Sequence, residues 1–208
     1  MTSVEPGRRE RKKEETRRRI LERSMDLFEE KGFDNVTMEE IAEAADVAKG
    51  TLYNYFPVKE AILSSYVQKY ARELKPEVDV IIESQPDTRS RLVAFLRFHA
   101  RWVEDRKDLM EKYISYRITF PLRSMRDTPS RSGFDQHTSR ILSLGQDAGD
   151  IRQDLDARAL SACLLSFYTW AYFGWLSLPE AFDLDRIIEQ TVDLFLDGAT
   201  AKRRGGGT

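Results

Sequence analysis

Between positions 37 and 59 the chain gathers hydroxyls (Thr37, Thr51), phenols (Tyr53, Tyr55), a carboxamide (Asn54), two ammonium groups (Lys49, Lys59) and one glycine, Gly50. These groups suit hydrogen bonding to phosphate oxygens and base edges. Interleaved with them, Val47, Leu52 and Phe56 give the same stretch an apolar inner face. Two short helices joined by a three- or four-residue turn form a helix-turn-helix, whose second helix enters the DNA major groove. A reader of this kind needs both faces: one to dock it rigidly on its own domain, one to meet DNA. Gly50, near the start of the second helix, lets backbone approach DNA closely, and the free N–H groups there suit a phosphate.

The stretch GFDNVTMEEIAEAADVAKGTLYNYFPVKEAIL resembles the DNA-binding domain of TetR-family (tetracycline-repressor-like) transcriptional regulators. The resemblance covers roughly residues 15–65; the remainder agrees with the family only in length and helical character. It implies a homodimer, an N-terminal reading head and a C-terminal domain holding an inducer pocket. It also places Thr37, Lys49, Thr51, Tyr53, Asn54, Tyr55 and Lys59 where the family touches DNA, mostly at phosphates, with Lys49, Gly50 and Thr51 nearest the bases. Three positions depart from the family pattern. Asp46 replaces a preferred glycine, and Asp tolerates the left-handed conformation. Asn54 replaces a common histidine, and Val58 stands where a capping Ser or Asn is frequent.

The elements that must hold these residues are helical. Ile20, Leu21, Ser24, Leu27 and Phe28 recur at the 3.6-residue period, and Gly32 supplies the stop. Thr37 with Glu40 three residues on reads as a capping box for a short helix carrying Met38, Ile41, Ala42 and Ala45. The second short helix runs from about Ala48 to Tyr55. Ile62, Leu63, Tyr66, Val67, Tyr70 and Leu74 carry a longer one, expected to kink or fray at Pro76. Further helices are expected on Leu92–Val103, on Leu109–Phe120, on Phe134–Gly145, on about 157–178 and on Ile187–Phe195, with a mobile loop over Pro121–Gly133. The fold class is all-α, with about nine helices. The expected division is a basic disordered arm over 1–14, a DNA-binding domain over 15–60, a ligand-binding and dimerisation domain over 61–200, and a flexible tail over 201–208.

The chain has 208 residues, with 33 Lys+Arg against 35 Asp+Glu. That balance excludes a wholly basic nucleic-acid binder and leaves room for a local basic face. Eight bases (Arg8, Arg9, Arg11, Lys12, Lys13, Arg17, Arg18 and Arg19) precede the head; they can follow the DNA backbone, enter the minor groove or remain a solvated tail. The single cysteine, Cys163, excludes an intramolecular disulfide and a cysteine zinc site, and two histidines leave little for a metal centre. No metal or other cofactor is expected. Residues 159–179 carry no charge and approach the length of a membrane span, yet their serines, tyrosines and threonine fit a buried helix of a soluble protein better. No membrane partner is expected, and the protein reads as cytoplasmic.

No phosphate loop, nucleophile elbow or metalloprotease motif is present, so the chain does not read as an enzyme. In the C-terminal region the aromatic and polar faces of the helices suggest pocket lining from Phe95, His99, Trp102, Tyr113, Arg117, His137, Tyr168, Tyr172 and Trp175. Those residues equally suit a core. At about 100° per residue, Leu160, Cys163, Leu164, Phe167, Ala171 and Gly174 share a second face, expected to meet another subunit together with Ile188, Val192 and Phe195. The expected function is a ligand-responsive transcriptional regulator, most simply a repressor. It would bind a near-palindromic double-stranded operator as a homodimer and be released by a small, largely apolar or aromatic effector. The alternative keeps the reading head but makes the C-terminal domain a dimerisation or partner-binding module without an inducer.

Overall fold

The computed structural model describes residues 7–119, 133–178, 180 and 183–199. Within them lie ten α-helices and one 3-10 turn, and no β-strand. The expected loop over Pro121–Gly133 and the tail fall outside the described residues except for Gly133. The chain divides into two compact units. The first comprises residues up to 69 together with 112–119, and the second comprises 70–111 with the described residues from 133 onward. The boundary expected at residue 60 therefore lies inside a helix, and the first unit is discontinuous in sequence.

In the first unit, α1 (Arg8–Lys31) is 24 residues long without glycine or proline. The basic segment expected to be disordered is thus helical from Arg8. Its Arg, Lys and Glu residues are good helix formers, and the turns that follow bury Ile20, Leu21, Met25 and Phe28. A 3-10 turn (Phe33–Asn35) leads to α2 (Met38–Ala44), then α3 (Lys49–Tyr55). Ile41, Leu52, Phe56 and Ile62 are at most 1% exposed. Burial of each such side chain stabilises the unit by about 1.5–3 kcal/mol. Phe28 packs on Phe33 with ring centroids 4.8 Å apart. The next helix, α4 (Lys59–Glu73), runs from the first unit into the second.

Pro76 does not kink α4. That helix ends at Glu73, and α5 (Lys75–Ser84) begins with Pro76 in its first turn, where the missing N–H has no partner to lose. This start adds the tenth helix. The second unit continues with α6 (Thr88–Glu104), capped by Asp87, whose carboxylate accepts from the Ser90 N–H at 2.7 Å. After α7 (Lys107–Thr119) come α8 (Phe134–Ala148), α9 (Ala157–Ser177) and α10 (Leu184–Ala199). The unit is held by α9 packing on α8 and α10, α10 on α6, and α6 on α8. Gly145 on α8 is needed for the close approach: a Cβ there would lie 2.5 Å from Thr88 Oγ1 and 2.6 Å from Ile151. Arg97 reaches Asp185 at 2.8 Å and Glu189 at 2.6 Å, and Arg89 forks onto Asp193, tying α6 to α10. Of the described helices, α9 alone is long and apolar enough to cross a bilayer; its Leu160, Leu164, Tyr168, Tyr172 and Trp175 are packed inside the chain.

Candidate functional site

The entry to α2 is a complete capping box. Thr37 Oγ1 accepts from the Glu40 N–H at 3.2 Å, and a Glu40 carboxylate oxygen accepts from the Thr37 N–H at 2.8 Å and from its hydroxyl at 2.9 Å. Lys31 donates to the other oxygen at 2.9 Å. Led by that bond and followed by those from Thr37, these contacts hold the Glu40 carboxyl down to about 2. The Thr37 hydroxyl expected to meet DNA is therefore already engaged in the cap.

The turn between α2 and α3 rests on Asp46, the one non-glycine residue with positive φ (50°) among the described residues. Asp46 N–H donates to Glu43 O and Val47 N–H to Ala42 O, each at 3.0 Å, which is a Schellman closure. Arg19 fastens the same turn from α1 by donating to Ala45 O at 2.8 Å. With the turn fixed, α3 buries Leu52 and, just past its end, Phe56. Lys49, Gly50, Tyr53 and Asn54 are exposed, and Thr51 and Tyr55 are half-buried. A Cβ at Gly50 would meet nothing within 4 Å, so packing inside the chain does not demand glycine there. Lys49 rests on Glu39 at 3.1 Å, both well exposed, a contact weak enough for a phosphate to displace.

Lys59 is used differently from the phosphate contact expected of it. Its ammonium donates to Val36 O at 2.6 Å and Phe33 O at 2.7 Å, and lies 4.7 Å from the Phe33 ring centroid. These partners draw it into the head. Three of the eight bases ahead of the head are likewise engaged internally: Arg19 as above, Arg18, which pairs with Glu22 at 3.9 Å, and Arg17, which donates to Ser65 Oγ at 3.0 Å and lies over the Phe56 ring. The more N-terminal ones remain open. Arg9, Lys12, Lys13 and Thr16 of α1 form, with Thr51, Asn54 and Tyr55 of α3, an open cleft of about 520 Å³. A basic rail beside the outer face of a reading helix suits a phosphate backbone. The sequence held both halves of this cleft but not their adjacency.

In the second unit seven of the nine proposed pocket residues join one chain of ring contacts. Phe95 meets His137 (5.8 Å between centroids), and His99 meets Trp102 (6.4 Å) and Tyr168 (5.5 Å). Tyr168 meets Tyr172 (6.3 Å), and Tyr172 meets Trp175 (5.4 Å). Two residues not named as pocket lining complete it: Phe134, which joins Phe95 to His99, and Tyr70, stacked on Trp102 at 4.2 Å. The remaining two proposed residues, Tyr113 and Arg117, belong to the first unit. His137 Nε2 lies 2.8 Å from Ala71 O, and His99 Nδ1 lies 3.0 Å from the Tyr168 hydroxyl. Burial holds His99 down to about 3, so it is neutral, and burial lifts the Tyr168 hydroxyl above its usual range. Among the described residues no group of three or more His, Cys, Asp and Glu is placed to hold a metal ion.

The face assigned to a second subunit splits. Leu160, Leu164, Ile188, Val192 and Phe195 are at most 5% exposed in the single chain, so they belong to its own core. Cys163 and Phe167 are exposed, and Ala171 and Gly174 are partly so. The large apolar side chains left open on α9 and just past it are Phe167, Trp170 (74% exposed) and Leu178, with Leu194 open on α10.

This head and this all-helical architecture define a helix-turn-helix transcriptional regulator. Residues 20–66 match the model of bacterial regulatory proteins of the tetR family, which places the reading head with that family's. Over most of its length it is similar to the HTH-type transcriptional repressor KstR2 of Rhodococcus jostii, at 23% identity over 88% of this chain and 90% of that protein. It is similarly related to the HTH-type regulator TtgR of Pseudomonas putida, at 25% identity over 88% and 91%. Among solved structures, FadR of Thermus thermophilus, a TetR-family transcriptional repressor in complex with lauroyl-CoA, superposes with a TM-score of 0.76. It shares 26% identity over 92% of this chain and 99% of that one.

Proposed function

We propose that the chain is a cytoplasmic repressor that binds a near-palindromic operator as a homodimer and is released by an acyl-CoA or similar largely apolar thioester. The observation that carries the DNA half is the outer face of α3. Its open side chains border the cleft lined by Arg9, Lys12 and Lys13, while Leu52 and Phe56 anchor its inner face. A dimer is supported by the exposed Phe167, Trp170 and Leu178, an apolar surface that water does not favour. The acyl-CoA class is supported by the lauroyl-CoA complex of the Thermus relative and by the neutral, aromatic interior of the second unit. Two reading helices in a dimer would address half-sites about 34–36 Å apart. An effector lowers operator affinity only by its differential affinity for the two states of the dimer.

Selection of binding sites from random DNA, followed by mobility shift with and without lauroyl-CoA, tests this. Enrichment of a palindrome whose complex is dissociated by lauroyl-CoA is expected. An enriched palindrome whose binding no acyl-CoA alters would favour a C-terminal domain that only dimerises or binds a partner.

A further inference from the structure

The aromatic interior of the second unit contains two hydrogen-bonding groups that the chain does not use. Trp102 Nε1 and the Tyr172 hydroxyl are buried and have no hydrogen-bond partner. Both residues are more than nine-tenths buried, and they belong to one run of rings through His99 and Tyr168. Between them in that run, His99 Nδ1 and the Tyr168 hydroxyl share one hydrogen bond. A donor left buried without an acceptor is costly, and keeping two in one cluster suits an acceptor brought by a ligand. The third unpartnered buried atom of this unit, Asp135 Oδ1, is itself an acceptor and cannot serve a ligand oxygen.

The charges around the run narrow the acceptor further. Burial, then the carboxylates of Glu104 and Glu111, push the Tyr172 hydroxyl above its usual range, so it remains a protonated donor. The same carboxylates disfavour an anionic oxygen beside it. Cations lie over the two tryptophans instead: Arg106 over Trp102 at 5.3 Å and Lys107 over Trp175 at 5.4 Å. A ligand with a neutral polar oxygen inside and negative charge elsewhere matches this distribution.

Resting on the effector class proposed above, we infer that Trp102 Nε1 and the Tyr172 hydroxyl are the donors that read the effector's neutral carbonyl oxygen, a thioester rather than a free carboxylate.

Titration of the full-length protein with lauroyl-CoA and with dodecyl-CoA, the thioether lacking only the carbonyl oxygen, tests the inference by calorimetry. Wild type is expected to bind lauroyl-CoA about tenfold or more tightly, the size of effect expected when buried donors lose their acceptor. Tyr172→Phe, which removes only the hydroxyl, is expected to narrow that ratio at least threefold, and Trp102→Phe to narrow it as well. Equal affinity of wild type for the two compounds overturns the inference while leaving the effector class standing. A preference that neither substitution changes also overturns it, because the carbonyl is then read elsewhere. Binding of neither compound overturns the effector class, and the donor assignment falls with it.

Discussion

The ammonium of Lys59, at the first position of α4, lies 2.6 Å from the carbonyl oxygen of Val36, which immediately precedes the capping residue of α2. With Phe33 O at 2.7 Å, which also accepts from the Val36 N–H of the 3-10 turn, it gathers main-chain carbonyls at the α1–α2 junction around one ammonium. Lys59 thus ties the start of α4 to the base of the helix-turn-helix, and any displacement of that start reaches α2 through this clamp.

Lys59→Met is therefore expected to destabilise the head by about 1–3 kcal/mol, the cost of carbonyls losing a charged donor. Operator affinity should fall as well, but the slope of log K against log salt should stay as in wild type. Removing a phosphate contact would instead shift that slope by about 0.9. Binding isotherms at four or five salt concentrations, with thermal melts alongside, separate the two roles.

The basic rail of α1 makes the opposite prediction. Lys12 and Lys13 line the cleft beside α3 and have no other function visible in the head. Replacing both with Gln should leave the melting temperature nearly unchanged and weaken binding to all sequences about equally. The salt slope should flatten by up to about 1.8 if each lysine releases one counterion. A double variant with the wild-type slope would show that the rail stands clear of the backbone.

His99 sets an acid limit on the second unit. Its folded value, about 3, lies below the 6.5 of an unfolded histidine, so between those values the unfolded chain binds more protons than the native one. Stability is then fully present above about pH 6.5 and declines as the pH falls toward 3, by at most about 1.4 kcal/mol per unit. Glu40 acts in the same direction only lower down, from 4.5 toward about 2, so the window from pH 6.5 to 5 isolates the histidine. Denaturant midpoints across that window should slope for wild type and be flatter for His99→Phe. The variant should be less stable throughout, because the Tyr168 hydroxyl loses its partner.

How much was legible in the sequence follows from how local each determinant is. The head was readable because its signals are short-range: the Thr37–Glu40 box, an aspartate able to sit at φ 50°, and Leu52 and Phe56 four residues apart. The internal contacts of Lys59 were not legible because its acceptors are main-chain carbonyls 23 and 26 residues away, which carry no side-chain signature. Periodicity put His99, Trp102, Tyr168 and Tyr172 on apolar faces but could not show which helices those faces meet, so Phe134 and Tyr70 were missed. The same gap misplaced Leu160 and Leu164: an apolar face looks alike whether its cover comes from α8 and α10 or from another chain. A run of charges at the N-terminus read as a solvated arm, although Arg, Lys and Glu are also good helix formers.

The open face of α9 gives the last test. Trp170 is 74% exposed and Phe167 48%, and they sit on one side of a helix whose opposite side, carrying Leu164, Tyr168 and Tyr172, is buried. Substitution at Trp170 therefore changes the surface without disturbing the core. Trp170→Glu is expected to melt within about 1 kcal/mol of the wild-type monomer, since surface changes away from special features seldom exceed half that. If a second copy covers this face, a carboxylate buried there on each side would break the dimer. Sedimentation should then show a folded monomer with unchanged helicity by circular dichroism. Operator affinity should collapse by far more than in either lysine variant, because half of the reading surface is lost while every residue of α3 remains intact. A Trp170→Glu protein that still sediments as a dimer and binds operator normally would move the interface off α9 altogether.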